Sequence, residues 1–217
     1  MEPVTHGITL DAVARFVDIA TDALSEAREE IDALNVYPVP DGDTGTNMFL
    51  TVSAARDELR AARAADPDLG LEEGMALLAR AALMGARGNS GVILSQMLRA
   101  YVTHLAGADG GQPRAKTIAA AMSSATDASY AAVGTPVEGT ILTVARAASD
   151  AALASAEGGN ARARDVFTAA AAAARTALSK TPEQLDVLAQ AGVVDAGGRG
   201  LTDVLETRMW WVPIGAV

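Results

Sequence analysis

Apolar residues recur along the chain at helical spacing. Leu10, Val13, Val17, Ala20, Leu24, Ala27, Ile31 and Leu34 form one stripe, with Asp18, Glu26, Arg28 and Glu29 largely on the opposite side. The stripe predicts a helix over 10–34. Pro38 and Pro40 then prevent helix continuation and push their preceding residues into extended geometry. Further helices are predicted over 44–64, 71–84, 89–105, 116–133, 139–156 and 162–178. Asn89 or Ser90 supplies a cap for the helix over 89–105. Thr181-Pro182-Glu183-Gln184 reads as another helix start, with a Thr cap, Pro at the first helical position and Gln at the capping-box position. A last helix is predicted over 198–211. Eight or nine helices with short connections predict an all-α bundle of antiparallel neighbours. In such a bundle, alternate helix starts gather at the same end.

Composition supports this picture. Half of the 217 residues are hydrophobic but only 4% are aromatic, and alanine is by far the commonest residue. Alanine favours helices, whereas sheets favour β-branched and aromatic residues. The run from Ala169 to Ala174, flanked by Val166, Phe167 and Leu178, fits a tightly packed helix. Cysteine is absent, which excludes disulfides, thiol nucleophiles and cysteine-ligated zinc. No apolar run reaches the roughly 18 residues of a membrane span, and the N-terminus lacks a signal pattern, so a cytoplasmic protein is expected. Lys and Arg total 17 against 27 Asp and Glu, a formal charge of −10. That balance makes a nucleic-acid backbone an unfavourable partner. A phosphate-rich ligand would have to be held by metal ions or helix ends.

Four segments rich in Gly, Asp, Asn and Thr interrupt the helical pattern. The first, Pro40-Asp41-Gly42-Asp43-Thr44-Gly45-Thr46-Asn47-Met48, places two carboxylates one residue apart before a helix start. Carboxylates are hard oxygen ligands for Mg²⁺, and Asn35 lies just upstream. The unpaired N–H groups of a helix start attract phosphate. The same stretch also fits an Asp/Gly turn that caps a helix. It is no EF-hand, since Gly45 and Val52 stand where that loop needs oxygen ligands. No Walker A motif occurs in the chain. The other segments are Gly85-Ala86-Arg87-Gly88-Asn89-Ser90-Gly91, Gly134-Thr135-Pro136-Val137-Glu138-Gly139-Thr140 and Gly192-Val193-Val194-Asp195-Ala196-Gly197-Gly198-Arg199-Gly200. Arg87 and Arg199 fit either an anion contact or a structural ion pair. His6 and His104 have no motif context.

Together these segments resemble the dihydroxyacetone kinase L-domain family, and within it the N-terminal ATP-binding domain of the bacterial fatty acid kinase subunit. The matching runs begin at Leu34-Asn35-Val36-Tyr37-Pro38, Gly85-Ala86-Arg87-Gly88, Pro136-Val137-Glu138 and Gly192-Val193-Val194-Asp195. The resemblance implies an eight-helix antiparallel barrel over residues 1–208 that binds ATP or ADP with two Mg²⁺ at one end. Asp41 and Asp43 match the metal-binding aspartates on which catalysis depends. Asn35 stands nearest to a third aspartate of dihydroxyacetone kinases, offset by one residue, and is the expected third metal ligand. Thr44, Gly45, Asn47, Met48, Gly88, Asn89, Ser90 and Gly91 match positions around the nucleotide. Thr140 falls beside the adenine pocket, and Asp195 and Gly197 in the loop closing over it.

The resemblance further implies transfer of the γ-phosphoryl group to the carboxylate of a fatty acid presented by a separate acyl-binding partner. A carboxylate acceptor needs no general base, so positioning and charge neutralisation suffice. A homodimer is among the expected assemblies. A dihydroxyacetone kinase L subunit and a non-catalytic ADP/Mg²⁺-binding regulatory module are the alternative readings. Residues 209–217, with both tryptophans, form an apolar tail that either docks on the bundle or marks a truncation before further domains.

Overall fold

A computed structural model describes residues 8–108, 111–158 and 161–207. Eight long helices account for most of them: α1 (Leu10–Ala33), α2 (Thr44–Ala65), α3 (Leu71–Gly85), α4 (Gly88–Ala106), α5 (Arg114–Ala132), α6 (Ile141–Ala156), α7 (Ala163–Ser179) and α10 (Ala196–Glu206). Two short helices, α8 (Thr181–Gln184) and α9 (Asp186–Ala191), lie between α7 and α10. No strand occurs among the described residues. Each long helix from α1 to α7 packs on the next, and α10 lies against α7 and α1 to close the ring.

The expected boundaries hold closely except near the C-terminal end. Thr181 does not cap a long helix. It is the first residue of the single turn α8, and its hydroxyl donates to the Leu178 carbonyl (2.8 Å). The same oxygen accepts from the Asp195 backbone N–H (3.1 Å), so the threonine joins α7 to the start of α10. Helix α10 begins at Ala196, two residues earlier than expected, because the Asp195 side chain caps it. The expected continuation to 211 and the apolar tail 209–217 lie outside the described residues, as does His6.

The interior is built from small side chains at helical spacing. Ala170 and Ala174 on α7, Ala152 on α6 and Ala121 on α5 are fully buried, so these helices approach closely. The alanine-rich run is therefore packed structure. Larger anchors such as Leu24, Ile31, Met48, Leu59 and Leu78 are also fully buried, each worth about 1.5–3 kcal/mol of transfer free energy. A small apolar cavity of about 110 Å³ remains between α1, α4, α6 and α10, lined by Phe16, Met97, Tyr101 and Leu201 among others. No helix among the described residues is long and apolar enough to cross a membrane.

Candidate functional site

The connections leading into α2, α4, α6 and α10 meet at one end of the bundle and surround a cleft of about 530 Å³. It is lined by Asn35, Asp41, Asp43 and Thr44 from the first connection, and by Gly88, Asn89 and Ser90 at the start of α4. Thr140, Asp195 and Gly197 come from the starts of α6 and α10. Four helix starts thus face one space. Side chains of Asp32, Thr140 and Asp195 each cap one first-turn N–H of α2, α6 and α10. The start of α4 has no side-chain cap, and the remaining first-turn N–H groups are left for a ligand. The walls between them are apolar: Val39, Val92, Ile93, Val133, Val137, Ile141 and Leu142.

The acidic turn is held by side chains of α1 and the connection after it. Gly42 takes a left-handed conformation (φ 66°) that lets the chain reverse between the two aspartates. Asp43 occupies the N-cap position of α2, yet its carboxylate makes no capping hydrogen bond. Asp32, near the end of α1, does that work: it accepts from the Thr46 N–H (2.9 Å) and the Thr46 hydroxyl (2.7 Å). Asp43 is thereby left half-exposed and unengaged at the cleft. Asn35 is buried and contacts both Asp41 and Thr44.

Gly45, Asn47, Met48 and Gly91 do not line the cleft. A Cβ on Gly45 would lie 2.3 Å from the Arg28 carbonyl oxygen, so this glycine is where α2 crosses α1. Asn47 packs beneath Gly88, whose left-handed φ of 57° and missing side chain leave room for its amide. Gly91 sits against the Thr51 hydroxyl, and Met48 is fully buried against Gly200. These residues fix the helices whose starts form the cleft.

At the start of α6, the Thr140 hydroxyl donates to the Val137 carbonyl (2.7 Å) and accepts from the Leu142 N–H (3.4 Å). Glu138, to which the sequence assigned no role, braces this loop. It accepts from the Tyr130 hydroxyl (3.0 Å) and from the Thr143 hydroxyl, which itself accepts from the Gly139 N–H (2.8 Å). Its partners lie on two different helices, a relation no local motif reveals. Arg199 stands away from the cleft between Glu30 (3.0 Å) and Asp203 (3.0 Å), which makes it a structural ion pair. The exposed Arg87 guanidinium donates to the Ala86 carbonyl (3.1 Å).

Asp195 is nearly inaccessible, and its carboxylate accepts from the Gly198 N–H (2.7 Å). Burial pushes its carboxyl up to about 6 against the opposing pull of backbone N–H groups from Gly198 and Ile141. A carboxyl that binds its proton more tightly folded than unfolded stabilises the fold at low pH. That contribution is complete below the ordinary value near 4 and is lost as pH rises through about 6. Asp195→Asn keeps an acceptor for Gly198 without the charge. It is expected to melt higher than the parent at pH 8, by up to about 3 kcal/mol, with the gain vanishing toward pH 4. Calorimetric melting across pH 4–8 checks this; a pH-independent difference would contradict it.

A family model, the DAK2 domain, matches residues 38–209. The chain belongs to the DAK2 domain family. It is 43% identical over 203 residues to Protein YloV of Bacillus subtilis (strain 168), covering 91% of this chain and 35% of that protein. It is also 43% identical over 183 residues to an uncharacterized protein of Staphylococcus haemolyticus, covering 84% of this chain and 32% of that one. The chain thus spans about a third of the length of the curated relatives it matches. Among solved structures, the dihydroxyacetone kinase from C. freundii in complex with AMP-PNP and Mg²⁺ superposes with a TM-score of 0.62 at 22% identity. The match covers 97% of this chain and 36% of that one, and establishes the helical fold. The native form of the same kinase gives a TM-score of 0.63.

Proposed function

We propose that this DAK2 domain binds ATP or ADP with Mg²⁺ in the cleft and acts as a phosphotransferase on the carboxylate of a fatty acid. A separate acyl-binding partner presents that acid, and the product is an acyl phosphate. The observation that carries the reading is the make-up of the cleft. Four helix starts and three carboxylates line it, with no Lys, Arg or His among the described lining residues. A bare polyphosphate would be repelled by Asp41 and Asp43; one accompanied by divalent cations would bridge them to the N–H groups of the helix starts.

The donor set suits Mg²⁺. Among the described residues no group of three or more His, Cys, Asp or Glu forms a complete protein cage. Mg²⁺ commonly binds through one or two carboxylates and completes its shell with water and phosphate oxygens. Asp41 and Asp43 would hold it, the resemblance implying two ions. Bound there, Mg²⁺ would neutralise charge developing on the transferred phosphoryl group. Gly88, Asn89 and Ser90, at a helix start without a side-chain cap, would offer N–H groups to the phosphates, and Asn89 and Ser90 their short polar side chains. Thr140, Val133, Val137 and Leu142 offer a half-apolar slot for the base, and Asp195 with Gly197 forms the wall opposite. The described lining residues include no His, Lys or Glu to act as a base, and Asp195 is engaged as a helix cap. An acceptor that is already ionised suits such a site. The structural likeness to a kinase bound to AMP-PNP and Mg²⁺ supports the same reading.

The deciding experiment incubates the chain with Mg²⁺–ATP, oleate and an acyl-binding partner, and traps acyl phosphate as a hydroxamate. Product that depends on Asp41 supports the reading. Nucleotide binding without product would favour the regulatory module, and product from dihydroxyacetone would favour the L-subunit alternative.

A further inference from the structure

Resting on the nucleotide–Mg²⁺ reading above, we propose that Asn35 is a positioning residue, acting on the cation through Asp41 and Thr44 rather than ligating it. The buried carboxamide is 6% exposed and is engaged at both ends. Its nitrogen donates to the Val39 carbonyl (3.0 Å) and to Asp41 Oδ1 (2.6 Å). Its oxygen accepts from the Thr44 hydroxyl (2.6 Å). The partners fix which way the amide points: turned over, its oxygen would face two other oxygens, and its nitrogen would have to meet the hydroxyl. One side chain in the connection just after α1 therefore ties down three points of the acidic turn before any ligand arrives. One oxygen of Asp41 is covered and the other is left for a cation. The Thr44 hydroxyl proton is committed to Asn35, so toward a ligand this oxygen can only accept. Losing a group that holds a metal-ligating carboxylate in this way typically costs about 10–100-fold in metal affinity.

The alternative, a direct Asn35–cation contact, makes the opposite prediction for one isosteric change. A carboxylate is the better Mg²⁺ ligand, so in a ligand role Asn35→Asp would tighten cation binding. In the positioning role Asn35→Asp has no N–H to give to Val39 or Asp41 and sets a like charge against Asp41, so cation binding weakens.

The test measures ADP affinity of the full 217-residue chain by calorimetry over a series of Mg²⁺ concentrations, with circular dichroism and melting in EDTA alongside. Asn35→Asp and Asn35→Ala are expected to raise the Mg²⁺ midpoint by about 10–100-fold while helicity stays unchanged. Should Asn35→Asp fail to fold, Thr44→Val asks the same question. It frees the amide oxygen, which would lower the midpoint if Asn35 were a ligand and raise it if Asn35 positions Asp41. Thr44→Ser should restore the parent value, and ADP affinity at saturating Mg²⁺ separates out any direct contact of Thr44 with nucleotide. A midpoint that is unchanged or lower in Asn35→Asp, with Mg²⁺ dependence intact in the parent, overturns the positioning role alone. A parent chain whose ADP affinity ignores Mg²⁺ overturns both this role and the reading beneath it.

Discussion

Asp43→Asn is expected to lower Mg²⁺-supported ADP affinity by at least about 100-fold while leaving the melting temperature almost unchanged. The two halves of this expectation have separate physical causes. An N-cap aspartate normally secures its helix, and losing one typically costs about 1 kcal/mol. Asp43 holds the N-cap position but makes no side-chain cap bond, because Asp32 reaches across from α1 to Thr46. Removing its charge therefore takes no side-chain cap bond from α2. It does take one of the two carboxylates that face the cleft from the acidic turn, and a replaced direct ligand should cost at least the upper end of the 10–100-fold seen for groups one bond further out. Asp32→Ala should do the reverse first, costing about 1–2 kcal/mol of stability through the lost cap. Calorimetry with ADP at fixed Mg²⁺, paired with thermal melts, checks both variants. A destabilised Asp43→Asn that binds ADP normally would show that Asp43 is merely a turn residue.

Gly45→Ala should be among the most damaging single-methyl insertions in the protein. A Cβ there would lie 2.3 Å from the Arg28 carbonyl oxygen and 2.9 Å from the Ile31 Cβ. The first obstacle is backbone in the C-terminal part of α1, which cannot rotate aside as a side chain tip can. Ile31 is itself fully buried. The two helices must separate at their crossing, an overpacking cost of about 3 kcal/mol or slightly more. For a chain of this size that corresponds to a fall of about 6–12 °C in melting temperature. The same shift would tilt the acidic turn that precedes α2, so nucleotide binding should weaken as a secondary effect. Gly70→Ala is the contrast: nothing lies within 4 Å of its added methyl, and exchanging the N-cap glycine of α3 for alanine is expected to cost about 1 kcal/mol or less. Equal effects at the two positions would refute the close-crossing account.

Much of this architecture was legible in the sequence because helical periodicity and breaking residues are local signals. The α1 stripe, the Pro38/Pro40 stop and the Gly85–Gly88 break fall where the helices begin and end. The gathering of alternate helix starts followed from short connections alone. Less legible was the distinction between residues that face the cleft and residues that support it. Gly45, Asn47, Met48 and Gly91 share runs with cleft-lining neighbours, yet helical rotation turns them toward α1, α4, α10 and α2 in that order. A motif written along the chain does not record that rotation. Asp32 and Glu138 went unnoticed for a related reason: their partners Thr46, Tyr130 and Thr143 sit on other elements, where spacing carries no information. The Thr181-Pro182 start signal misled because the local cap competed with a tertiary bond. Its hydroxyl is used to carry the Asp195 N–H.

The polarity of the bundle has a practical corollary. Every connection that shapes the cleft precedes an even-numbered long helix, while the C-terminal ends of α2, α4 and α6 and the starts of α3, α5 and α7 lie at the opposite pole. A protein partitioned in this way tolerates surgery at one pole only. Circular permutants opened between α4 and α5, or reporter tags spliced between α6 and α7, should keep the acidic turn intact, whereas the same cuts made before α4 or α6 would dismantle it.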